Sequence, residues 1–413
     1  MRLYGQGRAA LAGDHATADR LGWAERTRSR PDPEIVLEPI DGDPRMEPWI
    51  VAPWVHAERG VVSLRGRAGW RKRWTYLPAA PGVVRYLERL AAPHRSGGWT
   101  VGLAGLGRVG GVAATVLAAT PPARSGIREL LVHDADEANL RRWVLELGSI
   151  APWRGTGGRT GIRAATPQEM LERCDAVLFA ASAPVPPLGT RGDVRMVQLE
   201  PNRAILRTFL AHAPEPGYAG LLLVVSDPVE WLAHAAFHES NTDAAGRFTG
   251  TGLAPERVAG LGLGVMWARA LAGARAEGVE EEVARRGAAY GPHSAEVTAF
   301  DDVGAPDWAL SRRITAAARE CNFRVRDLGH LPYVGPGVSS VGLMLPPLLA
   351  GREVLASVFV GGIYFGAPSR LAWGLYPMPR HMDLEAFRII RELHERLQAQ
   401  ARSLGFAWSL PGR

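Results

Sequence analysis

Gly105-Leu106-Gly107-Arg108-Val109-Gly110 is the first constellation in the chain that can do chemistry, and the chemistry is binding. It follows an apolar run, Thr100–Leu103, and opens a small-residue stretch, Gly110–Ala119. In a strand–turn–helix context each glycine has a task. Gly105 permits the tight turn, Gly107 lets backbone approach a pyrophosphate, and Gly110 lets helix and strand pack closely. Unpaired N–H groups and a partial positive charge at the helix start complete an anion seat with Leu106, Arg108 and Val109. The next apolar run, Glu129–His133, ends at Asp134, 24 residues after Gly110. A carboxylate there accepts both ribose hydroxyls of NAD and repels a 2′-phosphate, which favours NAD over NADP. Arg108, Arg141 and Arg142 are the groups within reach of a phosphate if NADP is bound instead.

The elements around this turn alternate strand and helix, the signature of a parallel α/β sheet. Ala176–Ala180 and Leu221–Val225 read as further buried strands, and Pro255–Ala276 as one long helix. After Gly291 the alternation is less regular, and the chain closes on an amphipathic helix over Asp383–Leu404. The pattern predicts a Rossmann-type doubly wound parallel sheet over residues 97–250 and an α+β domain over 251–413. A small additional α+β module is expected over 1–96.

Six fragments in order give the chain a resemblance. They are Leu131-Val132-His133-Asp134 with Leu145-Glu146-Leu147-Gly148; Cys174-Asp175-Ala176-Val177 through Ala181-Ser182-Ala183-Pro184; and Gly192-Asp193-Val194-Arg195 with Asn202. Ser226-Asp227-Pro228-Val229-Glu230, Thr251-Gly252-Leu253 with Arg257, and Gly291-Pro292-His293-Ser294 follow. Together they resemble the lactate/malate dehydrogenase superfamily from about Trp99 to Leu404. The resemblance implies hydride transfer between NAD(H) and a substrate carbon, and it makes residues 251–413 the substrate domain. His293 is then the acid/base, since an imidazole titrates near neutrality. Arg257 holds the substrate carboxylate bidentately, and Arg195 polarises the carbonyl when its loop closes. Arg191, Asn202, Ser339 and Ser340 are further pocket candidates, and Ala181, Ser182, Ala183 and Asp227 join the cofactor site. A homo-oligomer is implied as well.

Three positions depart from the family pattern. The aspartate that orients the catalytic histidine falls at Ala254 on this alignment. Asp227 replaces an asparagine, and an acceptor-only carboxylate there suits an amine or imine better than an incoming carboxylate. The specificity positions read Pro186-Pro187-Leu188-Gly189. The expected substrate is therefore not ordinary lactate or malate. A catalytically silent NAD-binding scaffold or sensor is the rival reading. A peptide-tailoring reductase, with the N-terminal module recognising its substrate, is another.

Of 413 residues, 46% are hydrophobic and 22% charged, the balance of a globular chain. No apolar run approaches the roughly 18–20 residues that cross a bilayer. Met1–Arg20 holds no apolar stretch, so a secretory signal is not expected and a cytoplasmic setting is. Cys174 and Cys321 suit neither a disulfide framework nor a zinc site. The formal charge of +6 is concentrated early: residues 1–96 hold 16 basic and 11 acidic side chains. Met1–Pro33 reads as irregular, and short strands are expected at Glu34–Leu37, Trp49–Val55 and Val61–Leu64, with a helix over Gly82–Leu90. Trp23, Trp49, Trp54, Trp70 and Trp74 accompany the cluster Arg65, Arg67, Arg71, Lys72 and Arg73. Tryptophans packed on the core account for this pattern first, an acidic peptide partner second, and nucleic acid least.

Overall fold

Short apolar runs become the strands of one nine-stranded sheet, and its central members are buried on both faces. The structure is a computed structural model. It describes residues 98–406 except 152–157, 185–186, 188–194, 215–217, 219, 244, 247–251, 254, 331–335, 372–373 and 379. Before residue 98 it describes only 3–4, 9–12, 18–19, 22, 24–25, 35–39 and 73–76. That early part carries a separate sheet in the order β1 (Leu3–Tyr4), β2 (Ala9–Ala12), β3 (Ile35–Pro39), β4 (Arg73–Tyr76). β3 coincides with the run expected at Glu34–Leu37. β1 and β2 lie in the stretch read as irregular, because strands this short carry no visible periodicity. The runs at 49–55, 61–64 and 82–90 fall outside the described residues, as do the side chains of Trp74 and Arg73.

The main sheet has the order β15-β14-β13-β10-β9-β8-β5-β6-β7. Its parallel part comprises β5 (Trp99–Ala104), β6 (Ile127–His133), β7 (Gly161–Ala164), β8 (Ala176–Phe179), β9 (Leu221–Val224) and β10 (Val258–Gly260). The ranks across it, third-second-first-fourth-fifth-sixth, are those of a doubly wound dinucleotide-binding sheet. All four residues of β8 and of β9 are buried, as strands covered by helices on both faces must be. The order reverses between β5 and β8, and ligands bind at the carboxyl ends of strands at such a switch point.

β10 corrects the long helix expected over Pro255–Ala276. Pro255–Arg257 is a 3-10 turn, Val258–Gly260 pairs in parallel with Leu222–Val224, and only Gly262–Ala276 is helical. Three apolar residues gain more by filling a ladder beside β9 than by adding one turn to a helix. The sheet thus runs past residue 250. It continues antiparallel through β13 (Glu353–Val360), β14 (Ile363–Leu371) and β15 (Leu375–Pro377), while β11 (Ala288–Tyr290) and β12 (Thr298–Phe300) form a hairpin.

The helices that matter for the site are α1 (Arg108–Ala119), α2 (Leu199–Leu210), α3 (Val229–Ser240), α4 (Gly262–Ala276) and α5 (Ser340–Leu349). α3 is buried over nine consecutive residues, Val229 to Phe237, so it lies within the protein and not on its surface. The closing helix, Leu384–Ser403, is capped by the Asp383 carboxylate on the N–H groups of Glu385 and Ala386. Among the described residues no helix is long and apolar enough to cross a membrane.

Candidate active site

At the carboxyl end of β5 the chain turns through Gly105 with φ +95°, a conformation that favours glycine. The Gly105 N–H donates to the His133 carbonyl at 2.8 Å. A Cβ on Gly105 would run into the Ala181 backbone, and one on Gly110 into the Gly105 carbonyl. Gly107 differs: a Cβ there would meet nothing within 4 Å, so the start of α1 is open on that face. The open face lies at the amino end of α1, where backbone N–H groups can receive an anion. Asp134 is fixed beside it, since Oδ2 accepts the Leu106 N–H at 2.8 Å and Oδ1 the Asp136 N–H at 2.9 Å. Each oxygen keeps a second lone pair for a ribose hydroxyl. Arg141 pairs with Glu137, and the Arg142 guanidinium lies over the Trp143 ring, so neither is committed to a phosphate.

The same cleft, about 420 Å³, reaches from Gly107, Arg108 and Val109 past Ser182 and Ala183 to Asp227, Arg269 and His293. His293 sits on the loop between β11 and β12. Its Nδ1 lies 2.8 Å from the Gly262 carbonyl, which only accepts, so the proton is on Nδ1 and the Nε2 lone pair faces the cleft. The His293 backbone N–H donates to Glu230 Oε1 at 2.9 Å, and the Ser357 hydroxyl donates to the same oxygen at 2.7 Å. Burial raises the Glu230 carboxyl above its ordinary value. Burial pushes the His293 pKa well below the ordinary value; the Arg195 and Arg269 charges push it the same way, against the Gly262 hydrogen bond. His293 is therefore a neutral base near neutral pH.

Asp227 stands between the other groups. Its Oδ2 is 3.7 Å from Arg195 Nε and its Oδ1 is 3.9 Å from His293 Nε2. Buried Asn202 holds this arrangement to the cofactor turn, taking the Ala183 N–H on Oδ1 and donating Nδ2–H to the Asp227 carbonyl, each at 2.6 Å. Ser226 Oγ donates to the Ala181 carbonyl at 2.7 Å, and Gln198 Nε2 to that of Ala183 at 3.3 Å. Asn202 thus supports the cleft without lining it.

The arginine that faces His293 from α4 is Arg269, not Arg257. Arg257 precedes β10, at the amino edge of the sheet, and its charge acts on buried Tyr218, which precedes β9. Asp227 and Gly262 follow those parallel strands at the opposite edge. Sequence reading missed Arg269 because the single long helix hid the break at β10. The signal was present: Met266 and Arg269 repeat the three-residue spacing of Ala254 and Arg257, and the Arg269 guanidinium lies 3.4 Å from Met266 Sδ. Gly262 and Glu230 were also missed, since backbone hydrogen bonds leave no pattern in sequence. Ser339 and Ser340 start α5, whose Val341 lines the cleft with Val338, but neither serine does. Arg191 and Ala254 lie outside the described residues.

No family model matches the chain. It is 31% identical over 124 residues to the L-lactate dehydrogenase of Corynebacterium efficiens, a match covering 30% of this chain and 37% of that enzyme. A lactate dehydrogenase from a Medee basin deep-sea metagenome superposes with a TM-score of 0.57 at 19% identity, over 75% of this chain and 99% of its own. The malate dehydrogenase of Archaeoglobus fulgidus, solved with NADH, gives 0.57 at 17%, over 74% and 99%. The lactate dehydrogenase of Eimeria maxima, solved with NADH and oxamate, gives 0.56 at 16%, over 76% and 96%. The architecture is that of a Rossmann-type α/β protein. More narrowly, the chain has the fold of the lactate/malate dehydrogenase superfamily.

Proposed function

We propose that the chain is an NAD-dependent oxidoreductase that moves a hydride between NAD(H) and a carbonyl or imine carbon flanked by a carboxylate, and that its substrate is not ordinary lactate or malate. One observation supports this above the rest: a single cleft joins the open face of the Gly107 turn to His293, Asp227 and Arg269. Residues 97–250 would carry most of the NAD site, and residues 251–413 most of the substrate groups. A homo-oligomer and a cytoplasmic setting are parts of the same proposal.

Gly105, Gly107 and Gly110 would seat the pyrophosphate, and Asp134 the ribose. Bound there, NAD supplies the hydride acceptor, and NADH the donor. Arg269 binds the substrate carboxylate. His293 Nε2 takes or returns the proton at the substrate heteroatom, with its ring aimed by the Gly262 carbonyl. Val338 and Val341 give the cleft an apolar wall. Glu230 and Ser357 fix the His293 backbone.

A silent NAD-binding sensor is the second reading, and a specific observation favours it. The group on His293 Nδ1 is the neutral Gly262 carbonyl, where a carboxylate would stabilise the imidazolium more strongly. Calorimetric titration with NADH, beside NADH consumption over a panel of 2-oxo acids and imines, separates the two. Binding with turnover supports the oxidoreductase, binding alone the sensor, and absence of binding contradicts both.

A further inference from the structure

Resting on that reading, we propose that the substrate carries nitrogen at the reacting carbon. The chain interconverts α-imino and α-amino acids, in preference to 2-oxo and 2-hydroxy acids, and Asp227 selects them. The argument begins with placement. Any heteroatom that exchanges a proton with His293 Nε2 must come within about 3 Å of it. Asp227 Oδ1 is 3.9 Å from that nitrogen, close enough for one heteroatom to touch both groups. Both protein groups accept: the carboxylate has no proton to give, and His293 spends its N–H on Gly262. A carbonyl oxygen there meets two acceptors. A cyclic iminium offers its one N–H to the carboxylate, and the ammonium it becomes offers a second to His293 Nε2.

Charge points the same way. Arg195, which would polarise a carbonyl oxygen, lies with its Nε 3.7 Å from Asp227 Oδ2. Without that carboxylate a cationic iminium would be repelled by Arg195; with it, the two cations flank one anion, and Arg269, which lines the cleft with His293, meets the substrate carboxylate. An iminium also needs no proton before it accepts a hydride, so an imidazole backed only by a neutral carbonyl suffices. In the reductive direction the iminium carbon accepts the hydride pair from NADH, and the C=N π pair becomes the nitrogen lone pair. The substrate is reduced by two electrons, the nicotinamide is oxidised by two, and the amine then binds a proton. In reverse, the ammonium gives that proton to His293 Nε2 before the hydride leaves.

The test uses the full-length protein with NADH, offered pyrroline carboxylate (the cyclic imine of proline) and, separately, pyruvate. Calorimetry of proline and of lactate against the NAD⁺-loaded protein reads recognition apart from turnover. We expect kcat/KM for the imine to exceed that for pyruvate by about 100-fold, and proline to bind about tenfold more tightly than lactate. The isosteric Asp227→Asn should compress both ratios by about tenfold or more. Failure to bind NADH overturns the underlying cofactor reading together with this one. NADH binding with pyruvate reduced as well as the imine, with no imine reduction, or with ratios unmoved in Asp227→Asn, overturns the nitrogen proposal alone.

Discussion

The Nδ1 of His293 lies 2.8 Å from the carbonyl oxygen of Gly262, so the first residue of α4 aims the ring of the proposed acid/base. The approach is close: a Cβ on Gly262 would stand 2.6 Å from both Cβ and Cγ of His293. Gly262→Ala should displace the imidazole by a fraction of an ångström and lower kcat by about 100-fold. NADH affinity, set at the other end of the cleft, should hold. Steady-state kinetics beside NADH calorimetry check this, and an unchanged kcat would detach His293 from the chemistry.

Arg269 and Arg257 make a matched pair of controls. Arg269 lines the cleft with His293, whereas Arg257 acts on Tyr218 at the far edge of the sheet. Arg269→Met should remove a charge-assisted pair with the substrate carboxylate worth about 2–4 kcal/mol, raising KM by roughly 30- to 1000-fold. Arg257→Met should leave KM near the parent value. The opposite ranking would restore the sequence-based assignment of Arg257.

Gly107 separates binding from folding. Because a Cβ there meets nothing within 4 Å, and φ is −71°, Gly107→Val is structurally tolerated. It fills the face through which backbone would approach a pyrophosphate. NADH affinity should drop by at least about tenfold, a loss of about 1.4 kcal/mol, with the melting temperature unchanged. Parent-like NADH affinity would place the cofactor elsewhere.

Buried neutral histidines make the fold acid-sensitive. His234 accepts the Tyr364 N–H at 3.0 Å within a cluster with Trp231 and Phe406, and burial pushes its pKa down to about 3. The unfolded chain protonates histidine near pH 6.5, so below that pH the unfolded state binds more protons. Stability is then lost progressively from about pH 6.5 down to about 3, and is intact above. At pH 5 the loss from His234 is about 2 kcal/mol. His234→Phe strands the Tyr364 N–H at every pH, but should shrink the difference in unfolding free energy between pH 7 and pH 5 by about 2 kcal/mol. Urea titrations at the two pH values measure it, and an unchanged difference would refute the assignment.

Four of the six parallel strands, β5, β6, β8 and β9, were legible in the sequence because each is a short apolar run bounded by turn residues. The Gly105–Gly110 turn sits where its glycines require. β7, Gly161–Ala164, is a half-exposed edge strand with no such run, and β10 was read as helix. His293 and Asp227 were legible as well, on fragments that resemble superfamily motifs. Arg269 was not, since Val258–Gly260 carries no period that distinguishes a three-residue buried strand from the first turn of the helix behind it. Once that break is lost, the arginine that reaches the cleft is displaced by twelve positions, from 257 to 269. Glu230 could not be read as a support for His293, because its partner is a backbone N–H 63 residues away.

Hydride transfer itself can be followed directly with NADH deuterated at the reactive nicotinamide carbon, incubated with the protein and the cyclic imine. Mass spectrometry of the amino acid formed should find the deuterium on its α-carbon. In the reverse direction, where the ammonium must first give up its proton, His293→Asn should slow NAD⁺-dependent oxidation of proline by at least about 100-fold. Product lacking the label, or proline oxidised equally fast by His293→Asn, would contradict an NAD-linked site centred on this histidine.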